Sequence, residues 1–381
     1  MELDPDQPFY RAGEHTYSLN EILLTGADPQ YLSNGMPRIS DFHFKAGEPV
    51  RFRMDGELTP LKGGDLLSAA AVEAIVRVLI GPSYREAFAA DTLADVDTSY
   101  NIQGCTFRIN AFREIDGPAA AVRLLPPEVP SPSKLGFPSD GVWEGIVQRR
   151  QGLVLLTGQT GSGKSTTIAS LVQHMTKTRA LRVITLEDPI EYRFQPGRGM
   201  VSQREIGKHT RSFGDGLRSA VREDPDIIYV GEMRDSTSAG LALTAAETGH
   251  LVFTTLHTRD TIGAITRIVD LFPEREQATV CAQLAMSLAY VVCQKLVDRA
   301  DGKGRIPAME VLRNSPAISN MLRSGKWQQI YSNMQTGGAD SMVTMEASLD
   351  HLYQRGIISA NEVRRNRNRP DEADAPTPRR C

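Results

Sequence analysis

A glycine-rich run near the middle of the chain has the residue types and spacing that bind a nucleoside triphosphate. It reads Gly158-Gln159-Thr160-Gly161-Ser162-Gly163-Lys164-Ser165-Thr166 and matches G-x-x-x-x-G-K-[ST] at every position. The glycines let backbone N–H groups wrap around phosphates, and the amino end of the helix predicted to follow attracts negative charge. We expect Lys164 to neutralise the β- and γ-phosphates of ATP and Ser165 to coordinate Mg²⁺.

Chemically active residue types also follow three of the predicted strands. Glu187 and Glu191 follow RVITL, Glu232 follows DIIYVG, and His257 follows LVFTTL. A single glutamate after a strand is more often solvated or a helix cap. Ligands of open α/β sheets, however, bind beyond the carboxyl ends of the strands. Three such endings beside a phosphate loop therefore predict one shared site.

These residues suggest a division of roles in phosphate hydrolysis. Hydrolysis of a γ-phosphate needs a carboxylate near the attacking water, and we assign this role and part of the Mg²⁺ shell to Glu232. Glu187 and Glu191 are expected to support the water or the metal. His257 is expected to sense the γ-phosphate or to bridge to a neighbouring subunit, with a purely structural histidine as the alternative. His250 and His257 have no partners at metal-ligand spacing.

Two arginines precede the strand that leads to Glu232. Arg218 and Arg222 lie in SFGDGLRSAVRED, which reads as a helix stopped by Pro225. Their i, i+4 spacing places both guanidinium groups on one helix face. We expect them to face the nucleotide or a neighbouring subunit, and a solvated basic face is the alternative.

The elements that position these residues alternate between buried strands and helices. Continuous apolar strands separated by helices predict a parallel sheet that is covered on both faces. A long helix is predicted from Glu274 to Val297, with Cys281 and Cys293 in its core-facing pattern, and a second over residues 343–355. The predicted strands are LVLLTG (153–158), RVITLE (182–187), DIIYVGE (226–232) and LVFTTLH (251–257).

A smaller α+β domain is predicted ahead of this pattern. Its strands are DFHFKAG (41–47), VRFRMDG (50–56), TFRINAF (106–112) and AAVRLL (120–125), with a helix over residues 70–79. Five prolines between Pro126 and Pro138 predict a stiff linker. The predicted organisation is a flexible arm (1–14), the amino-terminal domain (15–127), the linker (128–139), the ATPase domain (140–363) and a disordered tail (364–381).

Composition excludes several other classes of protein. The chain has 381 residues, of which 40% are hydrophobic and 23% charged, a mixture that can bury a sizeable core. The net charge of −3 and the aromatic content of 6% give little support to a nucleic-acid groove. The start has no secretory pattern, and no apolar run reaches the ~18–20 residues needed to cross a bilayer. These features predict a cytoplasmic protein.

Four segments resemble, in order and spacing, the Walker A, Asp box, Walker B and His box of the PilT/GspE-type secretion ATPases. The likeness is greatest to the PilT branch, which powers type IV pilus retraction, and it covers about residues 39 to 363. The segments are GQTGSGKST, ITLEDPIEY (184–192), LRSAVREDPDIIYVGEMRD (217–235) and ALTAAETGHLVFTTLHT (242–258).

The resemblance implies a fold, an assembly and partners. The fold would be a RecA-like P-loop NTPase domain with a smaller PAS-like α+β domain at the amino end, assembled as a homohexamer with nucleotide bound between the two domains. Arg108 and Arg123 would reach the nucleotide from the amino-terminal domain, and Glu232 would be the catalytic glutamate. The partner would be an inner-membrane pilus platform protein, with the motor at the cytoplasmic face of that membrane and no nucleic acid involved.

Residues 317–324 depart from the family pattern. They read AISNMLRS where the retraction-linked motif reads AIRNLIRE, so serine replaces two charged residues. Four alternatives are open at this point: a pilus retraction motor, an ATPase of a related secretion or conjugative-transfer system (auxiliary retraction motors included), a nucleic-acid translocase, and a scaffold that binds nucleotide without hydrolysing it.

Overall fold

The computed structural model describes residues 3–33, 36–54, 57–90, 95–125, 129–302, 304–336 and 342–369. The chain divides into two compact units. The first comprises Met1–Glu128 together with Asp188–Arg193 and Glu205–His209, and the second comprises the remaining residues. Residues 126–128, the end of the predicted amino-terminal domain and the first residue of the predicted linker, lie outside the described residues.

The first unit is built around an antiparallel sheet with the strand order β7-β6-β5-β10-β9-β8. The elements of this unit are β1 Tyr10–Ala12, β2 His15–Tyr17, α1 Leu19–Leu24, β3 Leu32–Ser33, β4 Met36–Pro37, β5 Ile39–Phe44, β6 Arg51–Met54, β7 Glu57–Pro60, α2 Ala69–Ile80, α3 Pro82–Ala89, β8 Asp95–Ile102, β9 Cys105–Glu114 and β10 Gly117–Leu124.

Alternating strands and one amphipathic helix form the core of the first unit. Phe42 and Phe44 of β5 point to the same side of the sheet as Phe107 of β9, and all three are buried. Helix α2 covers that side with apolar residues at helical spacing, and Ser68 caps it by accepting from the Ala71 N–H. The predicted α+β character agrees with this architecture, and the PAS-like relationship stays a prediction.

The second unit contains a larger sheet with the strand order β13-β12-β14-β15-β11-β16-β17. Strands β12, β14, β15, β11 and β16 run parallel, and β17 is antiparallel to β16. The elements are α4 Asp140–Val147, β11 Gly152–Thr157, α5 Lys164–Thr178, β12 Arg182–Glu187, β13 Met200–Glu205, α6 Phe213–Ala220, β14 Ile227–Val230, α7 Ser236–Glu247, β15 Leu251–Leu256, α8 Thr261–Asp270, α9 Glu274–Ser287, β16 Leu288–Asp298, β17 Arg305–Arg313, α10 Pro316–Arg323, α11 Gln328–Thr336, α12 Met345–Gln354 and α13 Ala360–Asn366.

Helices bury both faces of this sheet. Leu153 and Leu155 of β11 pack into one apolar cluster with residues of α7, α8 and α9. Val154 and Leu156, which point to the opposite face, pack into another with residues of α4 and α5. Because each strand is buried on both faces, its sequence is apolar at successive positions. The predicted parallel sheet is confirmed.

The predicted helix from Glu274 to Val297 is wrong in its second half. Helix α9 ends at Ser287, and residues 288–298 form β16 beside β11. A continuous apolar run has the same appearance in a buried strand and a buried helix, so periodicity alone does not distinguish them. The β-branched Val291 and Val292 favour the strand. Cys293 is buried as predicted, but it lies on this strand and not on a helix.

Three shorter segments also differ from expectation. Helix α6 ends at Ala220, so Arg222 lies beyond it and does not share a helix face with Arg218. The predicted flexible arm, residues 1–14, contains strand β1, which pairs with β2. The predicted disordered tail begins as the last turn of α13 and continues as described chain to residue 369, and residues 370–381 lie outside the described residues.

Candidate active site

The strand order brings the sequence-predicted residues of the second unit to one edge of its sheet. Strands β12, β14, β15 and β11 are successive parallel neighbours, so their carboxyl ends lie side by side. Glu187, Glu232, His257 and Gly158 stand at or just after those four ends. This edge is where open α/β sheets bind ligands.

The glycine-rich run forms an open, positively polarised cradle. Gly158, Gly161 and Gly163 have φ of +142°, +78° and +92°, values that side-chain-bearing residues rarely adopt. A Cβ added at Gly161 would meet nothing within 4 Å. The hydroxyl oxygen of Ser162 is buried and has no hydrogen-bond partner in the described part of the chain. A free donor beside an open loop at a helix amino terminus fits a phosphate group.

Lys164 begins helix α5 and turns its ammonium group back over the loop. Its Nζ donates to the carbonyl oxygens of Gly158 at 2.8 Å and Gln159 at 3.1 Å. The side chain is buried, and Nζ also lies 3.5 Å from Nδ1 of His257. The ammonium and the helix amino terminus thus place positive charge at one spot, as binding of β- and γ-phosphates requires.

Glu232 and His257 extend the row of polar side chains from Lys164 away from the loop. Oε1 of Glu232 lies 3.4 Å from Nε2 of His257, and Oε2 accepts from Nε of Arg234 at 2.8 Å. Burial, followed by the charge of Lys164, lowers the pKa of His257, and Glu232 opposes that shift. The imidazole is therefore neutral near pH 7. Since the Lys164 ammonium can only donate, the ring proton belongs on Nε2, the nitrogen that faces Glu232.

The two glutamates of the Asp box, Glu187 and Glu191, belong to different units. Glu187 is buried at the end of β12, where its Oε1 accepts from Oγ1 of Thr185 at 2.6 Å and from Nε2 of Gln203 at 3.3 Å. Glu191 belongs to the first unit and lies 3.8 Å from Nη1 of Arg108. Glu187 is thus held rigidly beside the end of β14, and Glu191 is paired with an arginine.

The two arginines of the first unit lie on adjacent strands as register partners. Arg108 of β9 and Arg123 of β10 are directly opposite one another. Nε of Arg123 donates to Asp41 at 2.7 Å, and Nη2 of Arg108 lies 3.9 Å from Asp97. Each guanidinium therefore has a carboxylate of its own unit beside it, and a role at the nucleotide stays a prediction.

The two arginines near α6 also have local partners. Arg218 lies 3.2 Å from Asp215, one turn earlier on the same exposed surface. Nη1 of Arg222 donates to the carbonyl oxygen of Arg218 at 2.7 Å. Their predicted contact with nucleotide or with a neighbouring subunit stays a prediction.

Gln294 on β16 supports the phosphate loop, and the sequence analysis missed it. Its buried side chain donates from Nε2 to the carbonyl oxygen of Ser162 at 2.7 Å and accepts at Oε1 from Thr167 at 2.8 Å. A Cβ on Gly163 would approach that Nε2 to 2.8 Å, so only glycine allows this contact. The available signal was an uncharged polar residue directly after the apolar run LAYVVC (288–293).

Replacement of Gln294 by leucine is expected to raise the KM for ATP about tenfold, because it leaves a buried carbonyl and a buried hydroxyl unpaired, at a cost of about 1–3 kcal/mol. Steady-state kinetics would measure the change. The exposed Gln151, substituted in the same way, is the control and should behave as the parent. An unchanged KM in a folded Gln294→Leu variant would contradict the assigned support.

Sequence comparison assigns the chain to a family. Residues 37–321 match the family described as type II/IV secretion system protein. The chain belongs to this family. The resemblance predicted from four sequence segments is therefore confirmed, and so are the ATPase class and the α/β fold with its parallel sheet.

Similar proteins within the family include pilus motors. A twitching motility protein of Neisseria gonorrhoeae is 46% identical over 71% of this chain and 72% of its own length. A type IV pilus retraction ATPase, PilT, of Pseudomonas aeruginosa is 40% identical over 87% of this chain and 95% of its own length. The crystal structure of a pilus retraction motor PilT with bound ADP has a TM-score of 0.81 at 42% identity, and the match covers 88% of this chain and 95% of that one. Among the helices of the described residues, none has the length and apolarity to span a membrane.

Proposed function

We propose that the chain is an ATP-hydrolysing motor that works as a homohexamer and retracts a type IV pilus. The observation that carries the proposal is the polar chain from Lys164 through His257 to Glu232 at the carboxyl edge of the sheet. In it the Lys164 ammonium and the Glu232 carboxylate lie on either side of one neutral imidazole. The twitching motility protein and the retraction ATPases similar to this chain support the assignment.

In the proposed reaction the triphosphate of ATP lies in the loop formed by residues 158–165. Lys164 leaves the loop carbonyls that it contacts and neutralises the β- and γ-phosphate oxygens. Glu232 orients a water molecule for attack on the γ-phosphorus and accepts its proton as the bond to the ADP oxygen breaks. Ser165 and Glu232 would hold Mg²⁺, which would neutralise charge on the β- and γ-phosphate oxygens.

His257 links the two ends of this machinery. Its Nε2 lies 3.4 Å from one carboxylate oxygen of Glu232, and lone pairs of the carboxylate remain for water. Its Nδ1 faces Lys164, whose position depends on the γ-phosphate. We infer that loss of phosphate is sensed along this chain, with Glu187 and Glu191 supporting the metal shell or the water. Arg108, Arg123, Arg218 and Arg222 are further proposed contacts to nucleotide or a neighbouring subunit.

Out-of-phase hydrolysis around a ring would drive an inner-membrane platform protein.

The decisive experiment is deletion of the gene in its own host. Cells that become hyperpiliated and lose twitching motility, and that recover with the parent gene but not with a Lys164→Ala gene, are the expected result. Bald cells would show that the motor assembles pili, and retraction would then be the wrong direction.

A related secretion or conjugative-transfer role is the second candidate. It is favoured by residues 317–324, where serine replaces two charged residues of the retraction-linked motif. In helix α10, Ser319 donates to the carbonyl oxygen of Ala285 at 2.8 Å, so this position packs against α9 and presents no charge. Loss of a secreted or transferred substrate with normal pilation would favour this candidate. Stimulation of turnover by DNA or RNA would instead indicate a translocase.

A further inference from the structure

The residues that follow His257 are held at successive points. We call residues 257–261 the His257 segment. The Thr258 N–H donates to Oγ1 of Thr157 at 2.9 Å, immediately before the phosphate loop. The carbonyl oxygen of Arg259 accepts from Sγ of Cys293 at 3.0 Å. The segment ends at Thr261, the first residue of helix α8.

Thr261 is held by a buried carboxylate that the proposed mechanism does not use. Glu310 of β17 is 1% exposed, and its Oε1 accepts from the backbone nitrogen of Thr261 at 2.8 Å and from the Thr261 hydroxyl at 2.7 Å. Its Oε2 accepts from the backbone nitrogen of Met345 at 3.3 Å. Thr261 and Met345 are the first residues of α8 and α12, so the carboxylate lies between two helix amino termini.

Burial raises the pKa of Glu310, and the hydrogen bonds from Thr261 oppose that effect. Three hydrogen-bond donors at two helix amino termini, the Thr261 N–H, the Thr261 hydroxyl and the Met345 N–H, satisfy this buried side chain. The carboxylate accepts from both the backbone and the hydroxyl of Thr261, and these two bonds fix the position of that residue. It therefore holds the carboxyl end of the His257 segment.

The last residue of α13 and the chain after it complete the set of donors around Glu310. We call residues 366–369 the strap. Nδ2 of Asn368 lies 3.4 Å from Oε2 of Glu310, and Oδ1 of Asn368 accepts from Nζ of Lys295 at 2.6 Å. The backbone nitrogens of Asn368 and Arg369 donate to Oε1 of Glu346 at 2.9 and 3.1 Å.

Two arginines of the strap add contacts on either side of Asn368. Arg367 lies 2.9 Å from Asp350, with its side chain 7% exposed. The guanidinium of Arg369 lies 3.4 Å from the ring centre of Tyr331, a cation–π contact. The strap is therefore docked by charge, by hydrogen bonds and by stacking, although its sequence suggested a solvated tail.

We propose that Glu310 is a positioning residue for ATP hydrolysis. It anchors Thr261, so that the His257 segment keeps the imidazole aligned between Lys164 and Glu232. The strap secures the second carboxylate oxygen of Glu310. The inference rests on the proposed function. Glu310 touches neither nucleotide-binding nor water-orienting residues in the described contacts. It acts through Thr261, four residues after His257 in the chain.

The first test removes the Thr261 hydroxyl. Thr261→Val keeps the backbone bond and the shape, and we expect kcat to fall about five- to tenfold with KM for ATP unchanged within about twofold, since small displacements of a catalytic group cost rate. Thr261→Ser restores the hydroxyl and should recover most of kcat. Thr266→Val, in the same helix but with its hydroxyl on the Ile262 carbonyl, is the control. A folded Thr261→Val variant with parental kcat overturns the proposal.

The second test removes the strap from the full chain. Truncation after Arg365 deletes residues 366–369 and everything beyond, whereas truncation after Arg369 leaves every contact described above. We expect the first to lower kcat about fivefold without weakening ADP binding, and the second to match the full chain. Asn368→Ala in the full chain makes the same comparison if the shorter protein does not fold. Equal kcat in Asn368→Ala and the parent would overturn the role of the strap.

These outcomes are separable from failure of the proposed function. If Lys164→Ala abolishes turnover while Thr261→Val and Asn368→Ala do not change it, the motor assignment stands and only the positioning role is lost. If the parent protein hydrolyses no ATP, the proposed function itself fails.

Discussion

Replacement of Lys164 by alanine is expected to lower ATP turnover by at least about 10²–10³-fold, the effect of removing one preorganised charge from a developing phosphate charge. The variant loses the ammonium that bonds Gly158 and Gln159 and faces His257. Without it, β- and γ-phosphate charges at the loop are compensated only by backbone N–H groups. We therefore expect weaker ATP binding as well as slower hydrolysis, measured by phosphate release and by titration with labelled nucleotide.

The matched control is Lys177→Ala, because Lys177 is exposed in the last turn of the same helix. It changes net charge and helix composition by the same amount without touching the loop, so its turnover should be that of the parent. Both variants should unfold at similar temperatures. Parental turnover in a folded Lys164→Ala variant would remove the loop from the mechanism altogether.

Replacement of Glu232 by glutamine is expected to lower kcat by about 10²–10⁴-fold, the usual contribution of a positioned general base. Glutamine keeps the size of the side chain and an oxygen that can face His257, but it has no carboxylate to take the proton of the attacking water. ATP binding should be retained or strengthened. Single-turnover kinetics would separate this loss of chemistry from any loss of binding.

Glu247→Gln is the control for this substitution, since Glu247 is exposed at the end of α7. The control removes the same charge from the same unit. It should leave kcat unchanged. If the Glu232→Gln variant hydrolyses ATP at the parental rate, the water-orienting carboxylate lies elsewhere, and Glu187 becomes the next residue to test.

The meeting of the candidate site residues at one sheet edge could be predicted from the sequence, because each of them directly follows its own strand. Glu187, Glu232 and His257 follow apolar runs whose lengths and flanking residues favour buried parallel strands. Parallel strands deliver their carboxyl ends to one edge, so no knowledge of tertiary contacts is needed to predict that these side chains share it.

The supports behind that edge could not be anticipated. The periodicity of residues 288–298 fits a helix and a strand equally, because burial on both faces erases the pattern that separates them. A helix over residues 274–297 gives Gln294 no reason to face the loop. The polar, arginine-rich strap likewise gave no local signal of docking, because its partners Glu310 and Glu346 lie in earlier elements and are buried only in the folded protein.

The amino-acid sequence by itself determined the nucleotide chemistry and the family, because the loop, the following helix and the strand-end residues are local patterns that carry their own geometry. Only the tertiary structure decided what holds them in place. Gln294 meets Ser162 across 132 residues of chain, and Glu310 meets Thr261 across 49. Such contacts depend on sheet order and on burial, which sum over the whole unit, so no short stretch of sequence encodes them.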